Sequence, residues 1–344
     1  MRTRTATLLG ASLLVLLIAA VFAGYKAFTL YTLNVKSGAS QQQKTILVIK
    51  NPPALDVVWD KFRVAMNEHG YAEGVDIQYV PIAVGSDDLS VTKAKIVAIL
   101  KREHIDLIYT MGILATRAAK EATDELSIST PVVFAVVSDP VGSGLVTSLS
   151  SSGNNLTGVT PVNNFVVLKR LGLLKEMLPD AKRIVYAWHD ERTSSVDVIR
   201  KSIPDLGFEF DEHYVENPDA LMTFLENFPF EKGDVLLRAS DSVGATALKG
   251  TILTALAKKI PLIGTNATDV TRGALMSYGA NYGDIGAQSA RLVDRVLKGE
   301  NPKDIPIEDA ENFELSVNLD TAKGLGLDIP NEFLLKTHHI ISTE

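Results

Sequence analysis

The sequence predicts an α/β fold built from two doubly wound lobes with mostly parallel sheets. Three observations lead there. From Thr45 onward, short β-branched runs alternate with longer helical patterns, the mark of βαβ units. The alternation comes in two consecutive sets of similar size. A chain of 344 residues, 46% hydrophobic and 22% charged, is long enough for two cores and is neither disordered nor polytopic.

In the first set, strands are expected at Ile46–Lys50, Ile77–Ile82, Asp106–Thr110 and Val132–Val137. Helices are expected between them at Leu55–His69, Leu89–Arg102 and Leu114–Thr123. Within the second of these, KAKIVAILK (Lys93–Lys101) gathers its apolar residues on one helical face. The second set opens with helix Phe165–Leu178, strand Arg183–Trp188, helix Ser194–Leu206, strand Phe208–Tyr214 and helix Asp219–Phe228. It continues with strand Val235–Arg238, helix Val243–Lys258, and strands Pro261–Gly264 and Ala274–Tyr278. A late helix, Tyr282–Leu297, and a tail, Phe313–Leu335, then need sheets to pack against.

The N-terminus is of another kind. Arg2 and Arg4 precede Ala6–Gly24, an uncharged run of 19 residues, close to the roughly 20 that cross a bilayer as a helix. Basic residues ahead of it place its start in the cytoplasm, so the chain beyond it is exported, to a periplasm or cell surface. Val21-Phe22-Ala23 is an acceptable cleavage site, which reads as a signal peptide. The apolar character continues through Tyr25–Leu33, which reads as a retained transmembrane anchor, the preferred of the two. Residues 1–26 are that anchor or signal, and 27–44 a linker whose polar stretch Val35–Lys44 suits a tether. The chain has no cysteine, which excludes disulfides, a thiol nucleophile, cysteine metal sites and a lipid-bearing cysteine. Beyond residue 26 there are 31 Lys and Arg against 41 Asp and Glu, a net charge of −10. So acidic a chain, without a basic cluster, is no nucleic-acid binder.

Signals of catalysis are poor. Asn51-Pro52-Pro53 follows the first strand where a glycine-rich dinucleotide loop would have to stand, and there is no GxxxxGK[ST] loop. The six histidines show no metal-ligand spacing, and His338-His339 reads as a solvated tail pair. No serine sits in a GxSxG elbow. No enzyme activity, cofactor or metal is expected.

Signals of binding are better, and they gather at strand ends, where open α/β sheets bind ligands. Thr110-Met111-Gly112 ends one strand and opens a helix whose free amides attract an anion such as a carboxylate. Thr110 adds a hydroxyl there or merely caps the turn. Ser138-Asp139-Pro140 ends the next strand; Asp139 either meets a ligand ammonium or caps the turn before Val141. Asp241 holds the corresponding place in the second set, with an N-cap as its other role. Tyr278 ends a strand before Gly279 and offers a flat apolar wall or a hinge contact. Tyr282 and Trp59 read as packing residues.

Four blocks carry a resemblance. PVVFAVVSDPVGSGLVTSLSSSGNNLTGV (Pro131–Val159) is similar to a DPV-x-x-GLV-x-SL-x-x-x-G-x-N-x-TGV pattern. KRLGLLKEMLP (Lys169–Pro179) resembles K-R-L-x-L-L-K-E-x-L-P. LMSYGANYGDIGAQSA (Leu275–Ala290) and the segment Phe313–Pro330 match two further blocks. In this order they resemble the substrate-binding proteins of ABC importers related to tryptophan- and tyrosine-binding proteins, from about Thr45 to about Ser342. The resemblance implies the type I periplasmic binding protein architecture, two Rossmann-like lobes joined by a hinge that the chain crosses three times. By it, lobe 1 is 45–158 plus 280–310 and lobe 2 is 159–279 plus 311–344, with crossings near Gly158–Val162, Gly279 and Asn312.

It also implies a monomer that captures a small ligand, an amino acid and possibly an aromatic one, and delivers it to ABC permease and ATPase subunits. The alternative is a membrane-tethered sensory domain of the same fold acting on a signalling partner. Two departures bear on the ligand. Met111-Gly112-Ile113 stands where the family has T-G-[TS], which makes that wall more apolar, and His189-Asp190 stands where it commonly has Asn-Pro.

Overall fold

The computed structural model describes residues 26, 43–50, 55–83, 89–161, 164–189 and 194–343. The apolar segment Ala6–Gly24, nearly all of the linker after it, and Asn51-Pro52-Pro53 lie outside these residues. Among the described residues no helix is long and apolar enough to cross a membrane.

Residues 44–344 form one compact unit holding two sheets. The chain first lays down β1 (Lys44–Lys50), α1 (Asp56–Glu68), β2 (Ile77–Ala83), α2 (Leu89–Leu100), β3 (Leu107–Met111), α3 (Ile113–Leu126), β4 (Val132–Ala135) and β5 (Leu156–Thr160). It then moves to the second lobe with α4 (Asn164–Met177), β6 (Arg183–Trp188), α5 (Ser194–Ser202), β7 (Glu209–Tyr214), α6 (Pro218–Asn227) and β8 (Asp234–Arg238). α7 (Ser242–Thr246), α8 (Leu248–Ala257), β9 (Leu262–Gly264), α9 (Ala267–Thr271) and β10 (Met276–Ala280) come next. α10 (Tyr282–Leu297) and β11 (Glu308–Asp309) return to the first lobe. β12 (Phe313–Asn318), α11 (Leu319–Leu325), α12 (Asn331–Leu334) and β13 (His339–Ile341) end in the second.

The first sheet runs β2-β1-β3-β4-β5-β11 with every pair parallel. The second runs β7-β6-β8-β9-β10-β12-β13, with β10 and β12 its one antiparallel pair. Each order steps outward in both directions from its first strand. The switch point is therefore β1/β3 in one lobe and β6/β8 in the other, and a doubly wound sheet binds its ligand beyond the strand ends there.

Both faces of both sheets are covered, as parallel sheets require. One face of the first sheet packs on Val58, Trp59 and Phe62 of α1 and Ile285 and Leu292 of α10; the other packs on Ile96, Ala115 and Ala119 of α2 and α3. The second sheet packs on Leu171 and Leu174 of α4 on one face and on Leu221, Leu248 and Val270 on the other.

Several elements differ from their expected form. β4 stops at Ala135, two residues early, because Val136 has φ +60°, a region closed to a strand and costly for a β-branched residue. The helix expected to reach Leu206 ends at Ser202, since Pro204 has no N–H to donate and starts a 3₁₀ turn (Pro204–Leu206) instead. The helix expected over Val243–Lys258 is two helices meeting at Ala247. Leu156–Thr160, which none of the expected elements covers, is the buried strand β5. Its Gly158 lets Phe134 lie so close that a Cβ would stand 2.2 Å from the Phe134 carbonyl oxygen.

Candidate ligand-binding cleft

In lobe 1 the end of β3 is held from beneath by aromatic packing. Tyr109 is fully buried, its ring stacked on Phe62 at 3.9 Å and its hydroxyl 2.8 Å from the Ser289 hydroxyl on α10. Trp59 meets Phe62 and Tyr79 in the same cluster, in keeping with a packing role.

Thr110 is also buried, and its hydroxyl lies 2.8 Å from that of Thr116. Thr116 donates to the Gly112 carbonyl, so the shared hydrogen between the two threonines comes from Thr110. Thr110 therefore braces the turn. Met111 points into the core under the sheet, leaving only its backbone at the rim. Gly112, at φ 84° and ψ 167°, takes a conformation that only glycine adopts freely, and its N–H donates to Ala135 O at 2.9 Å. The anion-attracting groups left here are the next amides of α3, which have no partner inside the helix.

The end of β4 contributes Ser138 and Asp139, both half-buried. The Ser138 carbonyl accepts from the Thr160 hydroxyl at 3.2 Å, tying β4 to β5. Asp139 Oδ1 accepts from Gly142 N at 2.7 Å, and its carbonyl from Ser143 N, so the turn-capping role is filled.

In lobe 2, Asp241 is the N-cap of α7. Its Oδ1 accepts from Gly244 N at 2.7 Å and its Oδ2 from His189 N at 2.9 Å. The second bond spans the β6/β8 switch point and fixes the two strand ends to one another. Beside it, Trp188 Nε1 is buried without a hydrogen-bond partner among the described residues, and His189 stacks on Tyr214.

Tyr278 lies toward the hinge. Its ring stacks on Phe313, and burial raises its phenol above the usual tyrosine range. Its carbonyl accepts from Arg170 Nε at 2.8 Å, while Arg170 Nη2 reaches Thr265 O at 3.2 Å. Arg170 thereby clamps the ends of β9 and β10. At the same place Gly279 passes so near Thr265 that a Cβ would stand 1.8 Å from its carbonyl oxygen. Tyr282, the first residue of α10, packs against the core of the first lobe.

The connectors are themselves bonded together. Asn281 caps α10 and donates to Glu314 Oε1 at 2.6 Å; its N–H donates to Asn312 O at 3.0 Å, and Asn312 donates to Asp284 at 2.9 Å. Ala310 N donates to Thr160 O, joining the third connector to the end of β5.

Two charged residues that sequence reasoning misses stand at this end of the second sheet. Arg238 ends β8 with its side chain 8% exposed, and Asp269 faces it from α9 with 2% exposed. Local pattern marks Arg238 only as the last residue of a strand and Arg170 only as part of the KRL block. A cation closing an apolar run such as DVLLR is the one available signal. Burial drops the Arg170 guanidinium to about 10; the nearby Asp269 charge opposes that drop, and the Arg238 charge adds to it.

The profile of the family described as ABC transporter substrate binding protein matches residues 44–341. A tyrosine-binding protein of Clostridioides difficile is 27% identical over 297 residues, 85% of this chain and 84% of that one. Among solved structures, the ligand-free, open form of a substrate binding protein with adhesive properties from Clostridium difficile is similar at 25% identity. Its TM-score is 0.66, over 88% of this chain and 100% of that one. The ABC domain in complex with L-Trp from Streptococcus pneumonia, 21% identical, shares the fold at a TM-score of 0.76 over 87% and 100% of the two chains.

Proposed function

The chain belongs to the ABC transporter substrate-binding protein family, and from that premise we propose that it captures an amino acid, aromatic ones foremost, for an importer outside the cytoplasm. Members of this family bind solutes and are not enzymes. The observation that carries the proposal is the pairing of two switch points. The amides of α3 and Asp139 stand at the strand ends of one lobe, and Asp241 and Trp188 at those of the other. Opposite charges and an aromatic side chain at one cleft suit a ligand with an ammonium, a carboxylate and an apolar body. The tyrosine-binding relative and the L-Trp complex of the fold neighbour support the same class.

The lobes are proposed as 45–158 plus 280–310 and 159–279 plus 311–344, with β5 running two residues past the first boundary in the first sheet and β10 one residue past the second boundary in the second sheet. Hinge rotation would bring the lobes together over the ligand, driven by the ligand's higher affinity for the closed state, and the closed monomer would then meet an ABC permease with its ATPase. Ala6–Gly24 would export the protein and hold it at the membrane. Reporter fusions after Lys44 should then score as extracytoplasmic, and mass spectrometry should find the full chain in the membrane. A mature chain starting at Gly24 would make the segment a cleaved signal.

A thermal-shift screen of the twenty amino acids on the purified full chain tests the ligand class. A ligand at a hundredfold excess over its Kd should add about 2.7 kcal/mol of stability. No shift with any of them would overturn the class.

Asp241→Ala should lower the stability of the free protein by about 1–2 kcal/mol, since it releases two backbone amides. It should also weaken amino-acid binding by at least about tenfold. A lower melting point with unchanged calorimetric affinity would make Asp241 a cap and nothing more.

A further inference from the structure

Resting on the amino-acid reading above, we infer that Arg238, backed by Arg170, is the carboxylate subsite of the cleft, so that lobe 2 takes the acid end of the ligand. The charges of the cluster do not balance among its own residues. Arg238, Arg170 and Asp269 are all buried, two cations to one anion. Asp269 Oδ2 already accepts from Thr265 N at 2.7 Å and Thr265 Oγ1 at 3.1 Å. Arg238 Nε stands 3.3 Å from that same oxygen yet makes no hydrogen bond of good geometry among the described residues. Its Nη1 has only the Ala239 carbonyl, at 2.8 Å, and Arg170 has only the carbonyls of Tyr278 and Thr265.

Among the described residues no carboxylate besides Asp269 pairs with either guanidinium. Asp241, three positions along, adds its charge to the neighbourhood but turns its oxygens to the amides of His189 and Gly244. The phenols of Tyr186 and Tyr282 border the cluster, and burial holds both in the neutral form. A buried cation short of a partner is costly unless an anion joins it. A ligand carboxylate supplies the acceptor that Arg238 Nε lacks and fits the planar fork of a guanidinium. The place is right as well: Arg238 ends β8, one side of the β6/β8 switch point where a doubly wound sheet receives its ligand.

The test is calorimetry on the full chain with L-tyrosine and L-tryptophan, their carboxamides, and 3-phenylpropionate. Wild type should bind each amino acid at least about thirtyfold more tightly than its amide. Arg238→Met should erase that gap by weakening the acids and leaving the amides where they were. Without ligand, the variant should stay folded, since Arg170 remains to face the Asp269 charge. Arg238→Gln carries the same expectation and serves if the methionine variant does not fold.

Amides that bind wild type as tightly as the acids would overturn the subsite and leave the amino-acid reading standing. So would an Arg238 variant that weakens acid and amide equally. Binding of 3-phenylpropionate but of no amino acid, lost in Arg238→Met, would keep the subsite and defeat the amino-acid reading. A wild type that binds none of these acids would overturn both.

Discussion

Phe62→Ala should cost about 3–5 kcal/mol of stability, the range for removing a large aromatic side chain from a core that cannot collapse around the gap. Phe62 is fully buried and lies between Trp59 at 5.6 Å and Tyr109 at 3.9 Å, with Tyr79 edge-on at 6.2 Å. Few neighbours could move in, because Tyr109 is fixed by its hydroxyl at Ser289 and by its place in β3. The damage should reach the cleft, since Tyr109 immediately precedes the Thr110–Gly112 turn. A urea titration should show the midpoint falling with the slope unchanged. A loss under about 1 kcal/mol would mean that this cluster does not hold the first lobe together.

The second large effect is expected at Gly286, where α10 crosses α1. A Cβ there would stand 2.2 Å from the Val58 carbonyl oxygen, with Val58 C and Phe62 N also within 3.1 Å. All three are backbone atoms of a helix and cannot rotate away. In an open helix, alanine would gain about 1 kcal/mol over glycine. Here the clash should outweigh that gain and leave Gly286→Ala destabilised by about 3 kcal/mol, at the upper end of overpacking costs. Gly172→Ala in α4 is the matched control: a Cβ there meets nothing within 4 Å, so the variant should be neutral or gain up to about 1 kcal/mol. Equal melting points for the two variants would refute this account of how α10 joins the first lobe.

The layout of elements is legible in the sequence because it rests on local pattern. β1, β3, β6 and β8 are short runs of branched apolar residues between helical patterns, and burial on both faces leaves them nothing else to be. Distant partners decide the rest. β5 carries Gly158 and two threonines and shows no run of branched apolar residues; it becomes a strand because β4 and β11 pair with it and Phe134 lies over the glycine. The early end of β4 comes from the backbone at Val136, and nothing in the residue itself announces it.

The site shows the same division. That polar residues gather at strand ends is readable. Which atoms remain open to a ligand is not, because the Thr110 hydroxyl and the Asp241 oxygens are engaged by partners 6 and 52 residues away. The buried Arg238–Asp269 pair depends on a contact between β8 and α9 that no spacing rule predicts.

The route of the chain through the two sheets has a consequence for how it is made. α10 and β11 complete the first lobe, yet they come after all of β6 to β10 in the sequence. A ribosome that has released residues 44–161 has delivered five strands whose α1 face still lacks Ile285, Leu292 and Val293, and no shorter nascent chain can bury that surface. Pairings this distant also slow folding, because the loop must close before the contacts repay it. The first lobe should therefore remain unfolded and protease-sensitive until α10 and β11 emerge. That delay keeps the first lobe threadable through a translocation pore well after its own first five strands have been made.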